Sequence, residues 1–93
     1  MSPLVEEILG SKVKLAILRN LIIYEASTGR GIAKKIGVSP SAVSAALKDL
    51  VKSGLIKCYP AGNAHLYLMN EEHPYYRIVK SLFEHEKNSY GGS

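Results

Sequence analysis

The sequence of 93 residues has room for one modest hydrophobic core, so we expect a single domain over 1–93 without a separate catalytic module. Its hydrophobic share of 46% and charged share of 22% are typical of a soluble globular chain, and no apolar run reaches the roughly 18 residues of a membrane span. The single cysteine, Cys58, cannot form an internal disulfide, which favours stabilisation by packing or by a partner subunit.

Positive charge is concentrated in the middle of the chain. The formal net charge is +4 at pH 7 and the isoelectric point is near 9.3, which is suggestive of a polyanionic partner. Between residues 30 and 67, six basic residues accompany one acid, Asp49. A chance cluster of solvated lysines is the alternative. The first ten residues lack the basic start and apolar stretch of a signal peptide, so we expect a cytoplasmic protein.

Apolar residues recur at helical spacing through the first half of the chain and predict helices over 4–9, 12–25, 30–36 and 40–53. Ser11 and Ser39 are suitable N-cap residues, and Pro40 suits the first helical position. Gly37 is expected to end the third helix in a left-handed conformation and turn the chain sharply. Residues 27–29 are expected to form a loop, and Tyr24 is expected on the apolar face of the second helix.

The hydrophobic period changes from 3.6 to 2 after Gly54, which we expect to terminate the fourth helix. Two alternating segments separated by turn residues predict an antiparallel hairpin over 55–69. Helical spacing returns over 74–88. The expected fold is mainly α with a small antiparallel β-hairpin. It divides into N-terminal helices (1–26), a bihelical unit (29–54), the hairpin (55–69) and a C-terminal helix (74–88).

This order of elements resembles the winged helix-turn-helix family of DNA-binding proteins over about residues 10–85. In the family pattern an alanine lies four residues before the turn glycine, as Ala33 precedes Gly37 here. Apolar residues occupy the neighbouring pattern positions, namely Ile32, Ile36, Val38, Val43 and Ala46. The alanine lets two helices cross closely and the glycine supplies the turn. The continuation LKDLVKSGLIKCY resembles the small ArsR, MarR and PadR-type regulators.

The resemblance implies that the helix over 40–53 enters the major groove of duplex DNA with its N-terminal half against base edges. Small side chains there permit close approach, since hydroxyls can bond base edges and methyl groups can meet thymine methyls. The expected base-reading residues are Ser41, Ala42, Ser44, Ala45 and Lys48. For the two serines, the alternative is that they are ordinary exposed helix residues.

Contacts to the DNA backbone are expected from the helix before the turn and from both ends of the reading helix. The expected residues are Arg30, Lys34, Lys35, Ser39 and Lys52. Ser39 has an alternative role as an N-cap alone. At the wing tip, Asn63 and His65 are expected to contact DNA, although the basic residue that usually lies in the family's wing is absent.

Metal, cofactor and catalytic functions are not expected from the residue pattern. Cys58 and the three histidines lack the ligand spacing of metal-sensing relatives. Cys58 is expected to be a small buried apolar group on a strand, with an intersubunit disulfide or a thiol switch as the alternative. No serine is placed beside a base by any sequence motif, and Glu71 and Glu72 lie in a predicted turn.

Surplus apolar residues on the first and last helices indicate a homodimer, as in many winged regulators. The expected interface residues are Leu4, Ile8, Leu15, Ile22, Tyr75, Val79 and Phe83. The alternative for the last helix is that its apolar stripe packs only within one chain. The sequence thus indicates a homodimeric transcriptional regulator, most simply a repressor, on a palindromic duplex site, with no membrane association. Two alternatives stay open: a plasmid-partition or architectural protein that coats DNA and recruits a protein partner, and an adaptor that uses the winged fold for protein contacts.

Overall fold

The computed structural model describes residues 6–8 and 10–91, with side chains as far as His85. Residues 6–8 are helical. The helices and strands that follow are α1 (Lys12–Tyr24), β1 (Ala26–Thr28), α2 (Gly29–Ile36), α3 (Pro40–Ser53), β2 (Ile56–Ala61), β3 (Ala64–Met69) and α4 (Tyr76–Gly91). The fold class is therefore the expected one. Within the described residues, no helix is both long and apolar enough to cross a bilayer.

Local capping signals fix the helix ends, as the sequence predicted. Ser11 accepts a hydrogen bond from the Lys14 amide at 3.1 Å, and Ser39 accepts one from the Ala42 amide at 3.3 Å. Gly37 ends α2 in the left-handed conformation, with φ of 72° and its N–H donated to the Ala33 carbonyl at 2.9 Å. These bonds set the angle at which α3 leaves the turn.

The sheet has three strands in the order β1-β3-β2, all antiparallel. The prediction of a loop over 27–29 was wrong, because residues 27 and 28 lie in β1 and Gly29 begins α2. Ser27 pairs with Tyr67 in β3 and is 7% exposed. Its hydroxyl lies 3.3 Å from the side-chain oxygen of Asn20. A strand of three residues is too short to show a period of two, and its partner lies far along the chain.

The core lies between α1, α2, α3 and one face of the sheet, and α4 closes it. Its fully buried members include Ile17, Leu18, Ile32, Leu50 and Leu55. These come from four different segments of the chain, which is why the helices hold one another in place. The apolar residues on the inner side of α3 are buried or packed against this core, namely Val43, Ala46, Leu47, Leu50 and Val51.

Two details differ from expectation. Tyr24 is 53% exposed rather than part of the core, and its ring lies beneath the Lys35 ammonium. The C-terminal helix begins at Tyr76 and not at residue 74, because a turn precedes it. In that turn His73 accepts a hydrogen bond from the Tyr75 amide through Nδ1 at 3.1 Å, and its carbonyl accepts one from the Tyr76 amide.

Candidate nucleic-acid interface

The solvent-facing side of α3 carries small polar residues near its start and lysines further along. Ser41, Ser44, Ala45 and Lys48 are exposed, and Lys52 extends the same side by one more turn. The opposite face of α3, formed by Val43, Ala46, Leu47 and Leu50, is between 1% and 7% exposed. Burial of that face anchors the helix, so the polar face is presented outward on a rigid element.

Ala42 differs from the other predicted base-reading residues because it is half-buried. Its amide is occupied by the Ser39 hydroxyl. Ser39 is itself exposed, so its capping role leaves the residue at the surface beside the start of α3. The cap and a backbone contact to phosphate are therefore compatible at this position.

The helix before the turn places its basic residues outward. Arg30, Lys34 and Lys35 are exposed, while Ile32 and Ala33 are 0% and 5% exposed beneath them. The Lys35 ammonium lies 3.8 Å from the centre of the Tyr24 ring, which is a cation–π contact. Tyr24 therefore restricts where this lysine can reach, a role that the sequence did not indicate.

The wing tip lies close to the start of α2. Asn63 and His65 are exposed near Gly62, which turns the hairpin with φ of 64°. Together with Thr28 and Arg30 they line one open notch of about 460 Å³. Sequence reasoning assigned Arg30 and the wing to separate contacts, and the structure brings them to a single surface.

Asp49 is the one acid between residues 30 and 67, and it forms an ion pair with a residue of α1. Its Oδ2 lies 3.2 Å from the Lys14 ammonium, which also contacts Glu7. Lys14 is 8% exposed and was missed by sequence reasoning, since a lysine beside apolar neighbours on a helix is ordinarily expected at the surface. No local sequence signal identifies its partners.

The residues predicted for the dimer interface fall into three groups. Ile8, Val79 and Phe83 are between 7% and 8% exposed and already belong to the core of one chain. Leu15, Ile22 and Tyr75 are half-buried, and Leu4 lies outside the described residues.

Two further apolar residues of α4 face solvent. Ile78 is 60% exposed and Leu82 is 59% exposed. They lie one residue before Val79 and Phe83, so the apolar stripe of α4 divides between the core and the surface. The exposed pair borders an apolar groove of about 270 Å³, which Leu15 and Tyr75 also line. The sequence signal for this surface was an apolar stripe on the last helix that is wider than packing against one core requires.

Cys58 is half-buried on β2 and pairs across the sheet with Tyr67. Burial raises the pKa of the Tyr67 hydroxyl, and a hydrogen bond with Cys58 contributes in the same direction. Within the described residues, no group of three or more histidine, cysteine, aspartate or glutamate side chains could hold a metal ion.

A helix-turn-helix with an exposed small and basic face, followed by a β-hairpin wing, defines the winged class of DNA-binding proteins. The family model described as "Winged helix-turn-helix DNA-binding" matches residues 11–57, and the chain belongs to this family. The match covers α1, both helices of the bihelical unit and the first residues of the wing.

Solved structures of transcriptional regulators share the fold. AntR, an antimony-specific transcriptional repressor, superposes with a TM-score of 0.73 at 19% identity, over 96% of this chain and 76% of AntR. An apo double mutant of ZitR from Lactococcus lactis gives 0.71 at 28% identity, over 99% of this chain and 78% of ZitR. Another ZitR structure, described as a zinc-responsive MarR family member, gives 0.64 at 30% identity, over 88% of this chain and 59% of that one. No curated protein sequence matches significantly.

Proposed function

We propose that the protein is a homodimeric transcriptional regulator that binds a palindromic duplex site, with α3 in the major groove. The observation that carries this proposal is the division of α3 into a buried apolar face and an exposed face of small and basic side chains. A helix that enters a groove needs a slender leading half and a firm attachment behind it. Membership of the DNA-binding family supports the same assignment.

Base edges are read by the N-terminal half of α3 in this proposal. Ser41 and Ser44 donate or accept hydrogen bonds, the methyl groups of Ala42 and Ala45 meet thymine methyls, and Lys48 reaches a guanine. Half-buried Ala42 contributes the smallest contact of the group.

Phosphates are held on both sides of the reading helix. Arg30, Lys34 and Lys35 contact the backbone before the turn, with Ser39 and Lys52 beyond it, and Asn63 and His65 contact it from the wing. The shared notch between the wing and α2 favours joint use of Arg30 and the wing tip on one strand.

A second copy of the chain covers the apolar surface of α4. Ile78 and Leu82 are large, apolar and more than half exposed, and the groove beside them has apolar walls. A twofold axis would present two reading helices to successive major grooves, so the half-site centres should lie about 34 Å apart or a multiple of that distance. Leu15, Ile22 and Tyr75 form the margin of this interface, which requires no cofactor.

Regulation of transcription in the cytoplasm, most simply by occluding a promoter, follows from such a dimer. The structural neighbour AntR, which is named as a transcriptional repressor, supports this proposal. Selection of duplexes from a random pool, followed by footprinting over a range of protein concentrations, tests it. A short palindromic footprint is expected. A footprint that lengthens with concentration would indicate the DNA-coating function instead, and failure to enrich any duplex would favour the adaptor.

The backbone contacts are tested by salt dependence. Replacing Lys34 and Lys35 by alanine should weaken binding to all duplexes. The slope of log K against log salt, which is negative, should become shallower by about 0.9 per lost phosphate contact. The control removes an exposed charge outside the proposed DNA and dimer surfaces through Lys12→Ala, and should leave the slope closer to that of the wild type. A change of slope for Lys12→Ala as large as that of the double variant would contradict the assignment.

A bulky substitution on the reading face tests base recognition. Ser44→Leu places volume on an exposed position of α3, so the fold should be retained while the helix is held away from the groove floor. We expect loss of the preference for the selected site over an unrelated duplex, with non-specific binding retained. Unchanged discrimination would remove Ser44 from the reading surface.

Dimerisation is tested by Leu82→Glu, which introduces a charge into the exposed apolar surface. The variant should have the mass of one chain in light scattering and a weakened affinity for the full palindrome. Glu84→Gln changes a nearby exposed position of α4 and is the control. A wild-type chain that is monomeric at micromolar concentration would contradict the dimer.

A further inference from the structure

The strongest unexplained feature of the structure is a lysine buried at the junction of three segments. Lys14 lies on α1 and is 8% exposed. Its ammonium lies 2.5 Å from Glu7 Oε1, in the helical residues 6–8, and 3.2 Å from Asp49 Oδ2 on α3. The side chains of the two acids are 48% and 56% exposed, so one buried cation joins two partly solvated carboxylates.

Two carboxylate partners keep the charge of Lys14 at this junction. Burial of the ammonium disfavours its charge, but the hydrogen bonds to Glu7 and Asp49 and their Coulombic attraction outweigh this effect and raise the pKa of Lys14. An unbranched apolar side chain would occupy the same space without the cost of desolvating a charge. The lysine therefore holds Asp49 against α1 and offsets part of the charge that Asp49 and Glu7 carry together.

The position of Asp49 makes that ion pair relevant to DNA. Asp49 follows Lys48 on the helix that we assign to the major groove, and it is the one acid among the basic residues between 30 and 67. A free carboxylate on a surface that approaches phosphates lowers affinity, because like charges repel across the short distances of the interface. Pairing with Lys14 holds the Asp49 carboxylate toward α1 and offsets part of its charge.

We propose that Lys14 is a positioning residue for DNA binding, which anchors Asp49 against α1 and so prevents the reading helix from presenting a free carboxylate to the DNA backbone. The inference rests on the proposed function. It assigns a role in affinity to a residue of α1 that is 8% exposed and lies outside the reading face.

Charge-matched variants test the proposal. Lys14→Met keeps the length of the side chain and frees Asp49. Adding Asp49→Asn or, in a separate variant, Glu7→Gln restores the same formal charge at different places. Affinity for the duplex selected with wild-type protein is measured at several salt concentrations, and thermal unfolding of each variant is followed in parallel.

We expect Lys14→Met to weaken binding by roughly 3- to 10-fold at 0.1 M salt, as estimated from Coulomb repulsion by a few nearby phosphates. Asp49→Asn should restore affinity to within about twofold of the wild type, whereas Glu7→Gln should not. Equal recovery of affinity in both double variants would mean that only the net charge matters, and would overturn the proposal. Lack of rescue by either would indicate that Lys14 acts through packing alone.

Asp49→Asn in the wild-type background keeps the proposal falsifiable if Lys14→Met does not fold. Lys14 already holds Asp49 against α1 there, so this variant should change affinity by less than about twofold. If Asp49→Asn alone made binding tighter by roughly 3- to 10-fold, the proposal would be overturned. If the wild-type chain binds no duplex, the proposed function fails and the inference fails with it, whereas failure of the rescue leaves DNA binding intact.

Discussion

Substitution of Gly37 isolates the energetic cost of the turn between α2 and α3. Gly37 has φ of 72° and ψ of 33°, and a Cβ added to it would meet no heavy atom within 4 Å. Gly37→Ala therefore introduces no steric clash, and its cost is the left-handed backbone alone, about 1 kcal/mol. Asparagine tolerates this conformation better than alanine, so Gly37→Asn should cost about half as much.

The expected loss is measurable for a chain of this size. A loss of 1 kcal/mol lowers the midpoint of thermal unfolding by roughly 4 to 8 °C in a domain of 60 to 100 residues. Thermal unfolding followed by circular dichroism gives the midpoint, and urea unfolding gives the free energy. Gly62 is a matched control, since it also has a positive φ of 64° and open space around its Cβ position, but lies in the wing.

Three outcomes would refute this reasoning. A loss above about 3 kcal/mol for Gly37→Ala would mean that the position is sterically closed, and no loss would mean that the backbone is not left-handed there. A stability order with alanine above asparagine would contradict the conformational explanation. Because the turn geometry is retained, folded Gly37→Ala protein should still bind its duplex within about twofold of the wild type.

Three other substitutions test the local and buried interactions. Ser39→Ala removes the cap of α3 and should lower the free energy of unfolding in urea by about 1 kcal/mol. Ser41→Ala, on the same exposed turn, should lower it by less than half of that. Equal losses for the two variants would contradict the capping role of Ser39. Leu50→Ala opens a cavity at a position 1% exposed and should cost about 3 kcal/mol by the same assay, so a loss below 1 kcal/mol would contradict its place in the core. Folding raises the pKa of Lys14, so its charged form stabilises the fold when the pH is below the unfolded pKa of 10.5. This contribution is lost as the pH rises through the pKa of the folded state. The difference in unfolding free energy between wild type and Lys14→Met should therefore be constant from pH 7 to about 9 and shift toward Lys14→Met above about 10.5; a shift already complete at pH 8 would refute it.

The bihelical unit could be predicted because its signals are local. Ser39 caps the helix that begins next to it, Gly37 turns the chain where it lies, and the apolar spacing of α3 is complete within one helix. Interactions between residues three or four positions apart are the same in a short segment and in the folded protein. The exposed reading face followed from the same periodicity, because a helix with one apolar side must present the other side to solvent.

The sequence by itself therefore determined the class of fold, the turn and the outward face of α3. The tertiary structure alone decided the pairing of β1 with β3, the notch that joins Arg30 to the wing, and the division of the α4 stripe. It alone also placed Lys14 between Glu7 and Asp49. The physical reason is that each of these contacts depends on where a distant segment of the chain returns, and hydrophobic periodicity within one segment carries no information about that return.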